Sequence, residues 1–103
     1  MIFYIILEEG DLMYKLLIVE DDFIIAKGLQ KHFEKYHYDV QYIEDFEHVL
    51  DEFLEFQPDL VLLDIHLPFF DGYYWCQEIR KISQIPIVFI SSANENMNIV
   101  SDW

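Results

Sequence analysis

The chain has 103 residues, enough for one domain, and its 53% apolar share with 17% aromatics excludes a disordered chain. Six basic residues against 20 acidic ones give a net charge of −14. That charge disfavours nucleic acid and anionic membrane as direct partners, and it permits a bound cation or a basic protein. The single cysteine, Cys76, supports neither an internal disulfide framework nor a cysteine-rich zinc site, so a reducing compartment is expected. The opening Met1-Ile-Phe-Tyr-Ile-Ile-Leu7 lacks the basic start and small-residue cleavage site of a secretory signal. It is also far shorter than the roughly 20 apolar residues of a membrane span. A soluble cytoplasmic protein is the expectation.

Apolar runs then alternate with helical patterns. Leu16-Leu-Ile-Val19 reads as a buried strand. Ile25, Leu29 and Phe33 step by four and predict a helix over about 23–36, with Asp22 at its N-cap. Residues 40–43 alternate and read as a second strand. Asp45 is placed as the cap of a second helix with the face Phe46, Val49, Leu50 and Phe53, ended by Pro58. Leu60-Val-Leu-Leu63 is the third strand, closing on Asp64. A loop with Pro68, Asp71 and Gly72 leads to a helix over about 73–83 with Trp75, Ile79 and Ile82 on one side. Pro86 introduces a fourth strand, Ile87-Val-Phe-Ile90, and a last helix would carry Met97, Val100 and Trp103. This alternation predicts an α/β fold, a doubly wound parallel sheet with helices on both faces.

In such sheets ligands bind beyond the carboxyl ends of the strands. Glu20, Asp21 and Asp22 follow the first strand, Asp64 ends the third, and Ser91 and Ser92 end the fourth. Side by side, these strands would gather the three sets at one edge. Clustered carboxylates repel, and a hard divalent cation such as Mg²⁺ relieves the repulsion. One carboxylate can then attack phosphorus to give an aspartyl phosphate. Asp64 stands alone at a strand end and suits the nucleophile, while Glu20 and Asp21 suit metal holding. The plainer alternative is that acids after a strand only cap the next helix, as Asp22 is expected to do.

These residues resemble the receiver domain of two-component response regulators. Lys15-Leu-Leu-Ile-Val-Glu-Asp-Asp22 is similar to the family's first strand and acidic pair. Asp59-Leu-Val-Leu-Leu-Asp-Ile-His-Leu-Pro68, followed by Asp71-Gly72, is similar to its phosphoacceptor strand and loop. Ile85-Pro-Ile-Val-Phe-Ile-Ser-Ser92 is similar to its fourth strand and hydroxyl switch. The likeness runs from Tyr14 to about Val100. Asp71-Gly-Tyr-Tyr-Trp-Cys76 with Phe89-Ile-Ser-Ser92 also resembles the OmpR-class branch that responds to bacitracin and other cell-envelope peptides. The resemblance implies a flavodoxin-like (βα)5 fold, here truncated after the fourth strand. It implies Asp64 as phosphoacceptor from a sensor histidine kinase, and Mg²⁺ held by Asp21 directly, Glu20 through water, Asp64, and the backbone carbonyl of His66. It implies Ser91 as the hydroxyl that hydrogen-bonds the phosphoryl group. The role it implies is phosphorelay signalling and transcription regulation rather than enzymatic turnover.

The chain departs from the pattern at both ends. The family's Lys before a Pro has no counterpart, since the last basic residue is Lys81. Met13 resembles a natural start, which makes residues 1–12 an extension and 13–103 an incomplete receiver without its winged-helix DNA-binding domain. An exposed fourth strand or the apolar residues 1–7 would then favour self-association. A degenerate, phosphorylation-independent interaction fragment is one rival reading. Another is a Mg²⁺-dependent phosphohydrolase with an aspartate nucleophile, although such enzymes want an acid where His66 stands. His32, His37 and His48 lack ligand spacing and read as surface residues. Cys76 and Trp75 read as packing residues, and Tyr73 and Tyr74 as partly exposed.

Overall fold

Four parallel strands and three helices make up the computed structural model, which describes residues 13–91. Residues 1–12, expected to be an extension, Ser92 and the helix expected around Met97, Val100 and Trp103 lie outside the described residues. In chain order the elements are β1 (Lys15–Val19), α1 (Phe23–Glu34), β2 (Asp39–Tyr42), α2 (Val49–Phe56), β3 (Leu60–Asp64), α3 (Gly72–Arg80) and β4 (Ile87–Ile90). The strand order is β2-β1-β3-β4.

Because β1 and β3 are covered on both faces, their residues are apolar without alternation. Leu17, Val19, Val61 and Leu63 point to one side and pack with Val49, Phe53 and Phe56 of α2 and Trp75 and Ile79 of α3. Leu16, Ile18 and Leu62 point to the other and pack with Ala26 of α1 and Val40 of β2, with Leu29 and Phe33 half-buried around them. The chain therefore winds outward from β1 in two directions. It runs through α1 to β2 on one side, then crosses through α2 to β3 on the other. The switch point between β1 and β3 is where such sheets open a crevice.

Asp22 caps α1 as expected, its Oδ1 accepting from the backbone N–H of Ile24 at 3.0 Å and Ile25 at 3.3 Å. Asp71 caps α3, with Oδ1 accepting from Tyr74 N–H at 2.9 Å. Asp45 does not cap α2. Its Oδ1 accepts from Glu47 N–H at 3.1 Å in a tight turn, and its Oδ2 lies 2.9 Å from His48 Nδ1. Glu52 of α2 reaches back to accept from Asp45 N–H at 2.9 Å. The loop is thus held without helix, and α2 starts only at Val49. The helix ends at Phe56, where Gln57 takes a left-handed conformation before Pro58. α3 is shorter than its apolar spacing suggested. Ile82 N–H donates to Ile79 O in a turn beyond the helix, and the Ile82 side chain is exposed rather than on the buried face.

Candidate functional site

Strand register brings the acids together. β1 and β3 pair in parallel with Val19 opposite Leu63, so the next residues, Glu20 and Asp64, stand level at the carboxyl ends of adjacent strands. Both are buried, with Glu20 2% and Asp64 0% exposed, while Asp21 beside them is exposed. One carboxylate oxygen from each of Glu20, Asp21 and Asp64 lies within 4.8 Å of the others. The three residues expected to meet at this edge do so.

Burial of two carboxyls side by side is costly unless something neutralises them. Glu20 carries that conflict. Burial pushes its pKa up from 4.5 to about 7, against the pull of the Asp22 N–H that donates to Oε2 at 2.9 Å. The Asp64 charge, and the hydrogen bond a shared proton would make with it, raise Glu20 further. Glu20 Oε1 is buried with no hydrogen-bond partner. Asp64 Oδ1 accepts from the backbone N–H of His66 at 3.2 Å, which fixes the start of the β3–α3 loop. The His66 side chain points to solvent.

The fourth strand delivers the next group. Asp64 pairs with Ile90, and Ile65 N–H donates to Ile90 O at 3.2 Å, so Ser91 follows one position beyond. Ser91 Oγ is buried and has no hydrogen-bond partner. The strands on either side of Asp64 therefore each end in a buried, unsatisfied oxygen. Native structures seldom leave such atoms unpaired, and a bound ion or ligand is one ordinary explanation. Three carboxylates and a hydroxyl are hard oxygen donors of the kind that suit Mg²⁺ and a phosphoryl group.

Gly72 is a supporting residue whose role the sequence spacing did not show. A Cβ there would collide with the carbonyl oxygen of Asp64 and lie 3.0 Å from Ile65 Cα. Gly72 N–H also donates to Ile65 O at 2.9 Å, so the first turn of α3 clamps the backbone behind Asp64. The turn signal Asp71-Gly72 was readable, but the close approach depends on the path of the whole loop. The remaining side chains fall as expected. Trp75 is buried, Cys76 packs against the same cluster, and Tyr73 and Tyr74 are partly exposed. His32, His37 and His48 are exposed, and among the described residues only His48 has a carboxylate partner, Asp45.

A parallel sheet wound both ways from β1, with an acidic cluster at its switch point and a hydroxyl on the next strand, defines a flavodoxin-like class of α/β domain. The chain belongs to the response regulator receiver domain family, whose model matches residues 16–102. Its relatives include the uncharacterized transcriptional regulatory protein YvcP of Bacillus subtilis, 54% identical over 86 residues, a match covering 84% of this chain and 36% of that protein. The chain thus spans little more than a third of that curated relative. Among solved structures, the N-terminal domain of the nisin resistance regulator NsrR, a lantibiotic response regulator, is 46% identical with a TM-score of 0.73. That match covers 85% of this chain and 74% of the other. TrrA of Thermotoga maritima, solved in complex with Mg(2+)-BeF, is 28% identical with a TM-score of 0.72, covering 88% of this chain and 80% of TrrA. The likeness to NsrR agrees with the cell-envelope peptide branch suggested by the motifs around Asp71 and Phe89. No helix among the described residues is long and apolar enough to cross a membrane.

Proposed function

We propose that the chain is a phosphoacceptor module of two-component signalling, working in the cytoplasm, with Asp64 as the residue phosphorylated by a sensor histidine kinase. The observation that carries this reading is the buried Asp64 flanked by two unsatisfied oxygens, Glu20 Oε1 and Ser91 Oγ. Asp64 would attack the phosphorus of a phosphohistidine, forming an acyl phosphate as the bond to the donor nitrogen breaks. Asp21, Glu20, Asp64 and the His66 carbonyl would hold Mg²⁺, which when bound neutralises charge on the phosphoryl oxygens. The TrrA complex with Mg(2+)-BeF supports this assignment by likeness. Ser91 Oγ would donate to a phosphoryl oxygen, and that new bond would register the modified state. Gly72 would keep the Asp64 backbone in position.

His66 stands two residues after Asp64, where an aspartate-dependent phosphohydrolase wants a second acid, and this favours a stable acceptor over a turnover enzyme. Transcription regulation, the activity in the name of YvcP, extends to this chain as the output that Asp64 phosphorylation would control. The test is intact mass after treatment with acetyl phosphate and Mg²⁺. The chain should gain one phosphoryl group, slowly because no basic residue follows Lys81. Asp64→Asn should gain none. Equal labelling of Asp64→Asn would overturn the assignment.

A further inference from the structure

The loop after Asp64 is strained at Phe69. That residue has a φ of 68°, in the left-handed region where a bulky side chain is an outlier. Phe70 N–H donates to Pro68 O at 2.8 Å, which closes a γ-turn around Phe69 of the strained, positive-φ kind. Such conformations persist only where the surroundings over-determine them. Burial of Phe69 does not do so, because the residue is 69% exposed. Its neighbour supplies the constraint. The Phe70 ring stacks on Tyr74 of α3, with centroids 4.4 Å apart and planes at 20°. It meets Trp75 edge to face at 5.6 Å, and Tyr74 meets Trp75 edge to face at 4.9 Å, so the three rings close on one another. Trp75 is buried in the core beneath α2 and α3 and is the fixed end of the cluster.

Backbone bonds tie the loop at its two ends, Ile65 N–H to Ile90 O and Gly72 N–H to Ile65 O. The Phe70 ring ties it in the middle. We propose that Phe70 is a positioning residue, whose ring latches residues 65–71 onto α3 and thereby holds His66 beside Asp64. His66 N–H donates to Asp64 Oδ1 at 3.2 Å, and the His66 carbonyl belongs to the metal-holding set of the function proposed above. Phe70 acts through the backbone of this loop. The latch is a property of the metal-free chain, and only its effect on Mg²⁺ rests on that proposed function.

The test is hydrogen exchange of single backbone amides, followed by NMR in the metal-free full chain, with an Mg²⁺ titration alongside. Phe70→Ala should speed exchange at residues 66 and 70 about three- to tenfold more than at Val61 and Leu62 of β3, the worth of one aromatic contact. A merely structural role would speed loop and core amides alike. Phe70→Tyr should keep wild-type exchange, since its ring stacks in the same way. Phe70→Leu keeps apolar bulk without a ring, so it should fold and show a smaller selective acceleration in the loop. Adding Phe69→Gly to Phe70→Leu should restore part of the protection, because glycine takes a positive φ freely. Phe70→Ala should also weaken Mg²⁺ binding, by at least about twofold and at most the factor seen in exchange, because fewer molecules hold the loop in place. Equal acceleration of loop and core amides, wild-type exchange in Phe70→Leu, no rescue by Phe69→Gly, or wild-type Mg²⁺ affinity in Phe70→Ala would overturn the proposal. A wild-type chain without saturable Mg²⁺ shifts at Glu20 and Asp21 would instead overturn the proposed function, and the exchange rates would still decide the latch.

Discussion

Glu20 shows how one buried carboxyl couples folding, pH and metal. Its pKa of about 7 in the folded chain lies above the ordinary 4.5, because burial and then Asp64 disfavour the charged form. Between these two values the folded chain holds a proton that the unfolded chain has released. Stability of the metal-free chain therefore falls as pH rises through this window, and the loss is complete above about pH 7. Thermal melts from about pH 5 to pH 8 should show this decline, and Glu20→Gln should flatten it. Mg²⁺ should oppose the decline, and its affinity should rise with pH by up to about tenfold per unit below the Glu20 pKa. A melting profile of the same slope in Glu20→Gln would contradict this. Gly72 carries a different kind of constraint, one of space. Gly72→Ala would press a methyl group against the Asp64 carbonyl and Ile65 Cα, both backbone atoms. Overpacking of this kind costs about 1–3 kcal/mol. Urea titration should show that loss, and acetyl phosphate labelling of Asp64 should slow in the chain that remains folded. The acids were legible in the sequence because each ends an apolar run abruptly. The pressure on Glu20 was not, since it depends on Glu20 and Asp64 standing level on neighbouring strands.

Helix α1 begins where the sequence placed it and α2 does not, although an aspartate precedes both. Among the described residues the Asp22 side chain accepts from the backbone N–H groups of Ile24 and Ile25, so it caps. Asp45 has competing partners in His48 and in the Glu47 N–H, and Glu52, further along in α2, takes the Asp45 N–H. Local pattern signals a cap at both sites, and the choice between cap and turn is made by side chains further along. The α3 exit failed for the same reason, since Arg80 Nη1 donates to Ser83 O at 3.2 Å and draws the chain into turns before Ile82 can join the buried face. The grouping of Phe23, Tyr42 and Phe46 around one cavity was equally out of reach, because these rings meet only through the strand order. These contrasts predict opposite outcomes for two adjacent aspartates. Asp22→Ala should destabilise the chain by about 1 kcal/mol through loss of the cap. Asp21→Ala should leave metal-free stability unchanged or raised, because it removes a negative charge from beside Glu20, while weakening the Mg²⁺ titration. Urea midpoints and Mg²⁺ titrations on both variants check this, and a cap-sized loss in Asp21→Ala would be the contrary result.

At the scale of the whole molecule, the sheet is covered unequally. One face lies under α2 and α3, with Val61 and Leu63 at 0% exposure. The other lies under α1 alone among the described residues, and Leu60, Val88 and Ile90 there are only half-buried. β4 is the sheet edge among the described residues, every one of its four residues is half-buried, and none is charged. An apolar edge without a charged residue is a template for pairing with another chain. The net charge of −14 opposes that pairing, since two copies repel. Repulsion between surfaces is screened beyond a Debye length of about 8 Å at physiological ionic strength, whereas strand pairing acts at contact and is not screened. Added salt should therefore tip the balance toward association. We expect sedimentation of the 103-residue chain to show a larger species whose share grows with salt and with protein concentration. Light scattering should follow the same order. A folded monomer at high concentration in both low and high salt would mean that the β4 edge does not template pairing, and that charge does not decide the state of assembly.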